Sequence, residues 1–275
     1  MSSFKSTFIK LILSTLTMVL AVGCTSKATK KEDLQLQAIF ATHLVKGTLI
    51  LSSDKGTQYQ YHIERSQKPF LPASTFKIPN TLIALDEGVV QSADDVFQWD
   101  GKQRELPVWN QNLTLRQALP ASCVWCYQQI ASQVGLENYK KHMKKMSYGN
   151  QQLGDLTTFW LQGDIRISAH QQIEFLKRLY HETLPYKKEH QQLTKSLMQQ
   201  DKNQDYTLYA KTGLVGFGEE SPQKIGWFVG FIETQDDVWF FALNIDVEQK
   251  KHIAMRKQIV LEALIKKGII PETSV

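Results

Sequence analysis

The 275-residue chain holds only three cysteines, Cys24, Cys123 and Cys126. No second Cys or His pair stands at zinc spacing, so the Cys-x-x-Cys of 123–126 lacks the partners of a tetrahedral metal site. The βαβ context of a thioredoxin-type redox motif is also missing. The plain reading is two small buried residues on one helix face, and the alternative is an oxidised pair outside the cytoplasm. Apolar runs are equally scarce: beyond residue 22, none is long enough to cross a bilayer. Net charge is +5, with 32 basic residues set among 27 acidic ones. No basic stripe carries interleaved aromatics, which excludes the usual nucleic-acid footprint. The lysine pairs 140/141, 144/145, 187/188, 250/251 and 266/267 are solvated helix faces on this reading. Internal repeats and low-complexity tracts are absent. What remains is an ordinary globular composition with ample apolar and aromatic residues for a large core.

The N-terminus has the layout of a targeting segment. Lys5 and Lys10 give a positive start, and residues 11–22 form an apolar stretch too short to span a bilayer comfortably. Leu20-Ala21-Val22-Gly23-Cys24 then matches a bacterial lipoprotein cleavage box, with Cys24 as the acylated new terminus. Ala21 stands where leucine is the stronger match, so simple secretory cleavage is the alternative. The expected division is a signal peptide over 1–23, a polar tether over 24–33 and a folded domain over 34–275. The expected location is the periplasm, with the membrane reached only through the lipid on Cys24.

Hydrophobic patterning predicts a short amphipathic helix over 33–42 and strands over 47–53 and 59–65, joined by an Asp54-Lys55-Gly56 turn. A buried helix follows from Ser74 to near Gly88. Residues 114–198 are mostly helical, with clear periodicity over 128–146 and over 168–181, where Ser168 is an N-cap candidate. Strands are expected over 206–211, 225–233 and 238–246, with Asp236-Asp237 as a hairpin turn. A closing helix runs over 250–267, with Ile253, Ile259, Leu261, Leu264 and Ile265 as core candidates. The order is helix, two strands, helices, three strands, helix. It predicts an α/β protein of α+β type: an antiparallel sheet from both chain ends, flanked by helices, beside an inserted helical lobe.

The organising stretch is Pro72-Ala73-Ser74-Thr75-Phe76-Lys77-Ile78-Pro79-Asn80. Three-residue spacing puts Ser74 and Lys77 on one helical face. A serine in the first turn feels the positive end of the helix dipole, and a buried lysine one turn on favours its neutral form. That pair can supply a nucleophile and its base. Pro79 is expected to disturb the helix just after the pair. Ser-x-x-Lys also occurs at Ser2/Lys5, Ser52/Lys55 and Ser221/Lys224, but only Ser74/Lys77 opens an apolar helix. Three further stretches stand out: Ser122-Cys123-Val124 after Leu119-Pro120, Tyr148-Gly149-Asn150 in a turn, and Lys211-Thr212-Gly213 at a strand end. Each is common alone.

In combination and in this order they resemble the penicillin-recognising serine enzymes, and among these the class D (oxacillinase-type) β-lactamases. Phe159-Trp160-Leu161, Phe97-x-Trp99-Asp100-Gly101 and Gly226-Trp227-Phe228-Val229-Gly230 add to the match, which runs from about residue 34 to 271. The second motif is not the Ser-Asp-Asn of class A, and no Glu-x-x-Leu-Asn is present. Tyr148 resembles the class C tyrosine in letters only, and a structural or site-lining role is expected for it.

The resemblance implies a serine β-lactamase fold and the hydrolysis of a small-molecule β-lactam. Ser74 becomes the acylated nucleophile. Lys77 takes up carbon dioxide as an N-carboxylate that serves as general base, with no metal. Val124 keeps that pocket apolar, and Trp160 donates its indole N–H to the carboxylate. The backbone N–H groups of Ser74 and Leu214 form the oxyanion hole. Ser122 and Lys211 pass a proton to the leaving nitrogen. Thr212, Gly213 and Arg256 hold the substrate carboxylate. Cys123 and Cys126 depart from the pattern and, if bridged, could perturb the geometry of Ser122. The rivals are a non-hydrolysing β-lactam sensor, a penicillin-binding peptidase and a purely structural lipoprotein. Sensors of that type are attached to membrane spans and a signalling domain, and no second apolar stretch of that length occurs here.

Overall fold

The computed structural model describes residues 31–216 and 224–274. The signal segment and Cys24 lie outside the described residues.

Helix α1 spans Leu34–His43. Asp33 caps it, its carboxylate accepting from the N–H groups of Gln35 and Leu36 at 3.1 and 3.0 Å. Strand β1, Gly47–Ser53, turns back into β2, Gln58–Tyr61. The strand expected over 59–65 therefore stops at Tyr61. His62 is left-handed, and the Glu32 carboxylate accepts from the N–H groups of His62 and Ile63 at 2.6 and 2.9 Å. That borrowed cap opens α2, Ile63–Gln67, in place of more strand.

A 3-10 turn over Ala73–Phe76 leads into α3, Lys77–Asp86. The α-helix thus begins three residues after Ser74, and Pro79 falls in its first turn. Backbone N–H groups there have no intrahelical partner to lose, so the expected disturbance does not occur. Strands β3, Val96–Phe97, and β4, Leu113–Thr114, form a small separate ladder ahead of α4, Leu115–Ala118. The periodicity over 128–146 resolves into α5, Val124–Val134, and α6, Leu136–Met146. Gly135 separates them at φ 78°, which a side chain would resist. Next come α7, Phe159–Gln162; α8, Ala169–Tyr180; and α9, Lys188–Leu197. Ser168 caps α8 in a reciprocal box with Gln171, through bonds of 3.2 and 2.9 Å.

The chain then adds β5, Gln199–Lys202; β6, Tyr206–Leu214; β7, Ile225–Thr234; and β8, Val238–Asp246; it closes with α10, Lys251–Lys266. The polar strand Gln-Gln-Asp-Lys of β5 carries no apolar alternation, so the sequence did not predict it; it is the exposed sheet edge. The six strands run β2-β1-β8-β7-β6-β5, all antiparallel, so β1 from the start of the domain pairs with β8 from its end. This is the architecture expected from the sequence.

The sheet is buried on both faces, and the two-residue pleat sorts its side chains into two cores. Leu49 and Leu51 of β1, Phe241, Leu243 and Ile245 of β8, and Phe228 and Ile232 of β7 pack with α1 and α10. Ile50, Phe240, Ala242, Trp227, Val229 and Phe231 point the other way, into the core of the helical lobe. Of the residues expected in the core of α10, Ile259, Leu261 and Leu264 are buried, while Ile253 and Ile265 are partly exposed. The functional turn, Ala73–Phe76, lies where that lobe meets the end of β6.

Candidate active site

Ser74 sits in the 3-10 turn just ahead of α3. Its predecessor Ala73 is left-handed at φ 48°, a costly conformation for a residue with a Cβ. Neighbours hold the turn in place. Thr75 Oγ1 donates to the Pro72 carbonyl at 2.7 Å, and Gln172 Nε2 on α8 donates to Thr75 Oγ1 at 3.0 Å. Trp227 Nε1 on β7 donates to the Leu71 carbonyl at 2.8 Å. A Cβ on Gly213 would meet the Pro72 oxygen at 2.9 Å, so only glycine lets β6 come this close to the turn.

Lys77 Nζ donates to Ser74 Oγ at 3.1 Å, and the lysine is 0% exposed. Burial alone lowers its pKa from 10.5 to about 7. Trp160 is also fully buried, and its Nε1 has no partner among the described residues. Phe76, between the two reactive residues in sequence, packs against Trp160, Phe159 and Tyr148. Tyr148 is buried in this aromatic cluster, so the role open to it is structural.

On the other side, Ser122 is left-handed at φ 54° immediately before α5. Lys211 Nζ donates to Ser122 Oγ, and also to the carbonyl and hydroxyl oxygens of Thr212 at 3.1 and 3.3 Å. Burial pushes the Lys211 pKa well down, and the charges of Lys77 and Arg256 push the same way. Arg256 on α10 is 8% exposed; it donates through Nη1 to the Gly213 carbonyl and through Nε to that of Ile253 at 2.8 Å. Burial lowers its pKa to about 10. A Cβ on Gly226 would lie 2.8 Å from Arg256 Cδ, so this glycine makes room for the arginine.

A cleft of about 400 Å³ opens over these groups. Ser74, Ser122, Val124, Thr212, Gly213, Leu214 and Arg256 line it, while Lys77, Trp160 and Lys211 are not among its lining residues. Leu106, Trp109, Leu161 and Ile253 add an apolar wall, and Gln128, Thr158 and Gln162 add polar groups; the sequence had not marked most of these as site residues. It also missed Tyr127, whose ring centre lies 5.2 Å from Lys77 Nζ and whose hydroxyl meets Thr81 Oγ1 at 2.6 Å. A signal for it existed: Thr81 follows Lys77 by four residues and Tyr127 follows Val124 by three, so each shares a helical face with a marked residue.

One expectation is corrected. Cys123 and Cys126 are not simply two small buried residues; they form a disulfide, with Cα atoms 5.5 Å apart. A separation of three at a helix start brings the two sulfurs together. Among the described residues no group of three or more His, Cys, Asp or Glu could hold a metal ion.

A serine in a strained turn, a buried neutral-leaning lysine one helical turn away and a second lysine–serine pair across a cleft are the groups that a serine nucleophile and its base would need. The family model for the penicillin binding protein transpeptidase domain matches residues 28–265. The chain is 40% identical over 243 residues to beta-lactamase OXA-48 of Klebsiella pneumoniae, spanning 88% of this chain and 91% of that protein. It is 41% identical over 234 residues to beta-lactamase OXA-10 of Pseudomonas aeruginosa, spanning 84% and 88%. Among solved structures, the class D β-lactamase YbXI from Nostoc superposes with a TM-score of 0.82 at 37% identity, covering 85% of this chain and 98% of that one. FUS-1 (OXA-85) from Fusobacterium nucleatum gives 0.82 at 34%, covering 86% and 98%. The chain belongs to the class D serine β-lactamases.

Proposed function

We propose that this protein hydrolyses β-lactams through an ester on Ser74, with the general base carried on the side chain of Lys77. The observation that carries the reading is the contact of Lys77 Nζ with Ser74 Oγ at 3.1 Å, by an amine whose pKa burial has brought to about 7. Near neutral pH a large share of that amine is unprotonated, which is the form able to add carbon dioxide. The unpartnered Nε1 of buried Trp160 and the apolar wall at Val124 fit a carboxylate held at that nitrogen. When present, that group supplies the base for both forming and cleaving the ester.

The chain's own residues do the rest. Ser74 Oγ attacks the lactam carbonyl and gives up its proton on the Lys77 side. The backbone N–H groups of Ser74 and Leu214 hold the oxygen on which negative charge gathers. As the lactam C–N bond breaks, the nitrogen takes a proton from Ser122, which Lys211 replenishes through their hydrogen bond. Thr212, Gly213 and Arg256 bind the substrate carboxylate; burial lowers the pKa of Arg256, and burial together with the nearby charges of Lys77 and Arg256 lowers that of Lys211, so an arriving anion would relieve the cost of keeping both cations charged. Water then cleaves the ester, and Ser74 is regenerated.

The protein is exported to the periplasm in this reading, and Cys24, freed by cleavage of residues 1–23, carries the lipid that holds it to a membrane. Steady turnover of a chromogenic cephalosporin tests the catalytic reading. A single stoichiometric burst without turnover would favour a β-lactam sensor or a penicillin-binding peptidase instead.

A further inference from the structure

The disulfide lies inside the second catalytic motif, and the mechanism above makes no use of it. Cys123 directly follows Ser122 and is the N-cap of α5; the Cys126 N–H donates to its Sγ at 3.2 Å. Both cysteines are fully buried. Neither sulfur is open to attack by another protein's thiol, which excludes a thioredoxin-like exchange activity. Nor does the bridge have much to do with global stability, because chain-entropy stabilisation is least for the shortest loops, and this one spans three residues. What it fixes is the first turn of α5.

Three site residues depend on that turn. Ser122 precedes it in a left-handed conformation at φ 54°, which persists only where the surroundings enforce it. Val124 is its first residue and lines the cleft, and Tyr127 faces Lys77. On the upstream side the constraint is visible: Trp109 Nε1 donates to the Ala121 carbonyl at 2.9 Å, and Trp125 Nε1 donates to the Trp109 carbonyl at 2.9 Å. On the downstream side the covalent bridge takes the corresponding place.

We propose that the Cys123–Cys126 cross-link is a positioning element for Ser122, holding its hydroxyl against Lys211 for proton delivery to the leaving nitrogen. The proposal rests on the relay role given to Ser122, and the test separates the two. Four proteins are compared on a chromogenic cephalosporin and a penicillin: native, Cys123→Ala/Cys126→Ala, Ser122→Ala, and the triple variant. Intact mass first establishes the bridge, since the native protein is two hydrogens lighter than its dithiol form. Removing the bridge should lower kcat by about tenfold, part of what a positioned proton donor contributes, with KM changed less than about threefold. In the Ser122→Ala background the same change should cost less than about twofold, because the hydroxyl it positions is already gone.

Equal losses in both backgrounds would mean the bridge merely supports the fold, and native kcat without the bridge would overturn the proposal outright. Two free thiols in the active native protein would do the same. Native rates in Ser122→Ala would overturn the relay role itself, and with it this inference. Where Cys123→Ala/Cys126→Ala does not fold, the near-isosteric change Cys126→Ser in the native and Ser122→Ala proteins, verified by intact mass, takes its place with the same expected outcomes.

Discussion

Trp160 lies nearly parallel to Phe76, with ring planes 15° apart and centroids 6.0 Å apart, which holds the indole beside the Ser74–Lys77 turn. The Trp160 N–H is buried there with no partner among the described residues. A buried donor left unsatisfied costs about 1–3 kcal/mol, so its retention points to a partner acquired during function. Trp160→Phe keeps an aromatic ring beside Phe76 and deletes the donor, together with part of the buried volume of the indole. The variant should melt somewhat lower, because the smaller ring leaves a void, yet stay folded and lose about 10²-fold in kcat, within the range for a mispositioned base. The loss should fall on deacylation, so intact mass spectra should show the acyl-enzyme on Ser74 persisting. Native deacylation in Trp160→Phe would remove this residue from the mechanism.

If Lys77 carries the general base, its amine should set the acid limb of activity. Its pKa is lowered from 10.5 to about 7 by burial. Below about 7 the ammonium form grows and cannot add carbon dioxide, so kcat should fall as the medium is acidified. Added bicarbonate at fixed pH should restore part of it. A flat profile from pH 8 to 5.5, indifferent to bicarbonate, would contradict this.

The same burial destabilises the fold. Between pH 7 and 10.5 the unfolded chain holds a proton on Lys77 that the native chain has largely released, so native stability rises with pH across that window. Lys77→Met keeps the volume and removes the polar amine. It should be inactive but more stable at pH 7, by about 1–3 kcal/mol, the scale for taking a polar group out of water. Its advantage should shrink towards pH 10. Thermal melts at several pH values check both signs.

Arg256 is held at its guanidinium by the Gly213 and Ile253 carbonyls and at its stem by the space over Gly226. Arg256→Ala should cost about 1.5–3 kcal/mol in kcat/KM, the scale of a hydrogen bond to a charged group. The loss should fall mainly on KM if the contact is equal in ground and transition states. Gly226→Ala should move the arginine and give a smaller loss of the same kind. Unchanged kinetics on penicillins would deny Arg256 the role of carboxylate anchor.

Cys24→Ala should abolish incorporation of labelled fatty acid. Equal labelling of both forms would leave simple cleavage as the fate of the leader.

Much of this was legible in the sequence because the reactive residues cluster in short motifs with fixed offsets. Ser74 and Lys77 meet because they are three apart, and Ser168 caps its helix as expected of a serine ahead of an apolar period. Strand β8 matched residue for residue because one hairpin turn and a run of apolar residues bound it. What the sequence did not disclose came from distant or borrowed partners. Glu32 capping α2 ended β2 early, and an edge strand with no apolar residue, β5, left no pattern to read. The apolar wall of Leu106, Trp109 and Ile253 is drawn from loops and a helix far apart in the chain. The Cys123–Cys126 bridge is not legible from its spacing, because spacing alone does not separate a bonded pair from a buried one.

In the proposed mechanism Lys77 carries the base as its carbon dioxide adduct. Carbon-13 NMR of the protein with labelled bicarbonate tests it most directly. A carbamate carbon signal is expected at neutral pH, lost below about pH 6, absent from Lys77→Met, and proportional to activity as bicarbonate is varied. A fully active sample with no such signal and no response to bicarbonate would contradict it, even with Ser74 established as the nucleophile.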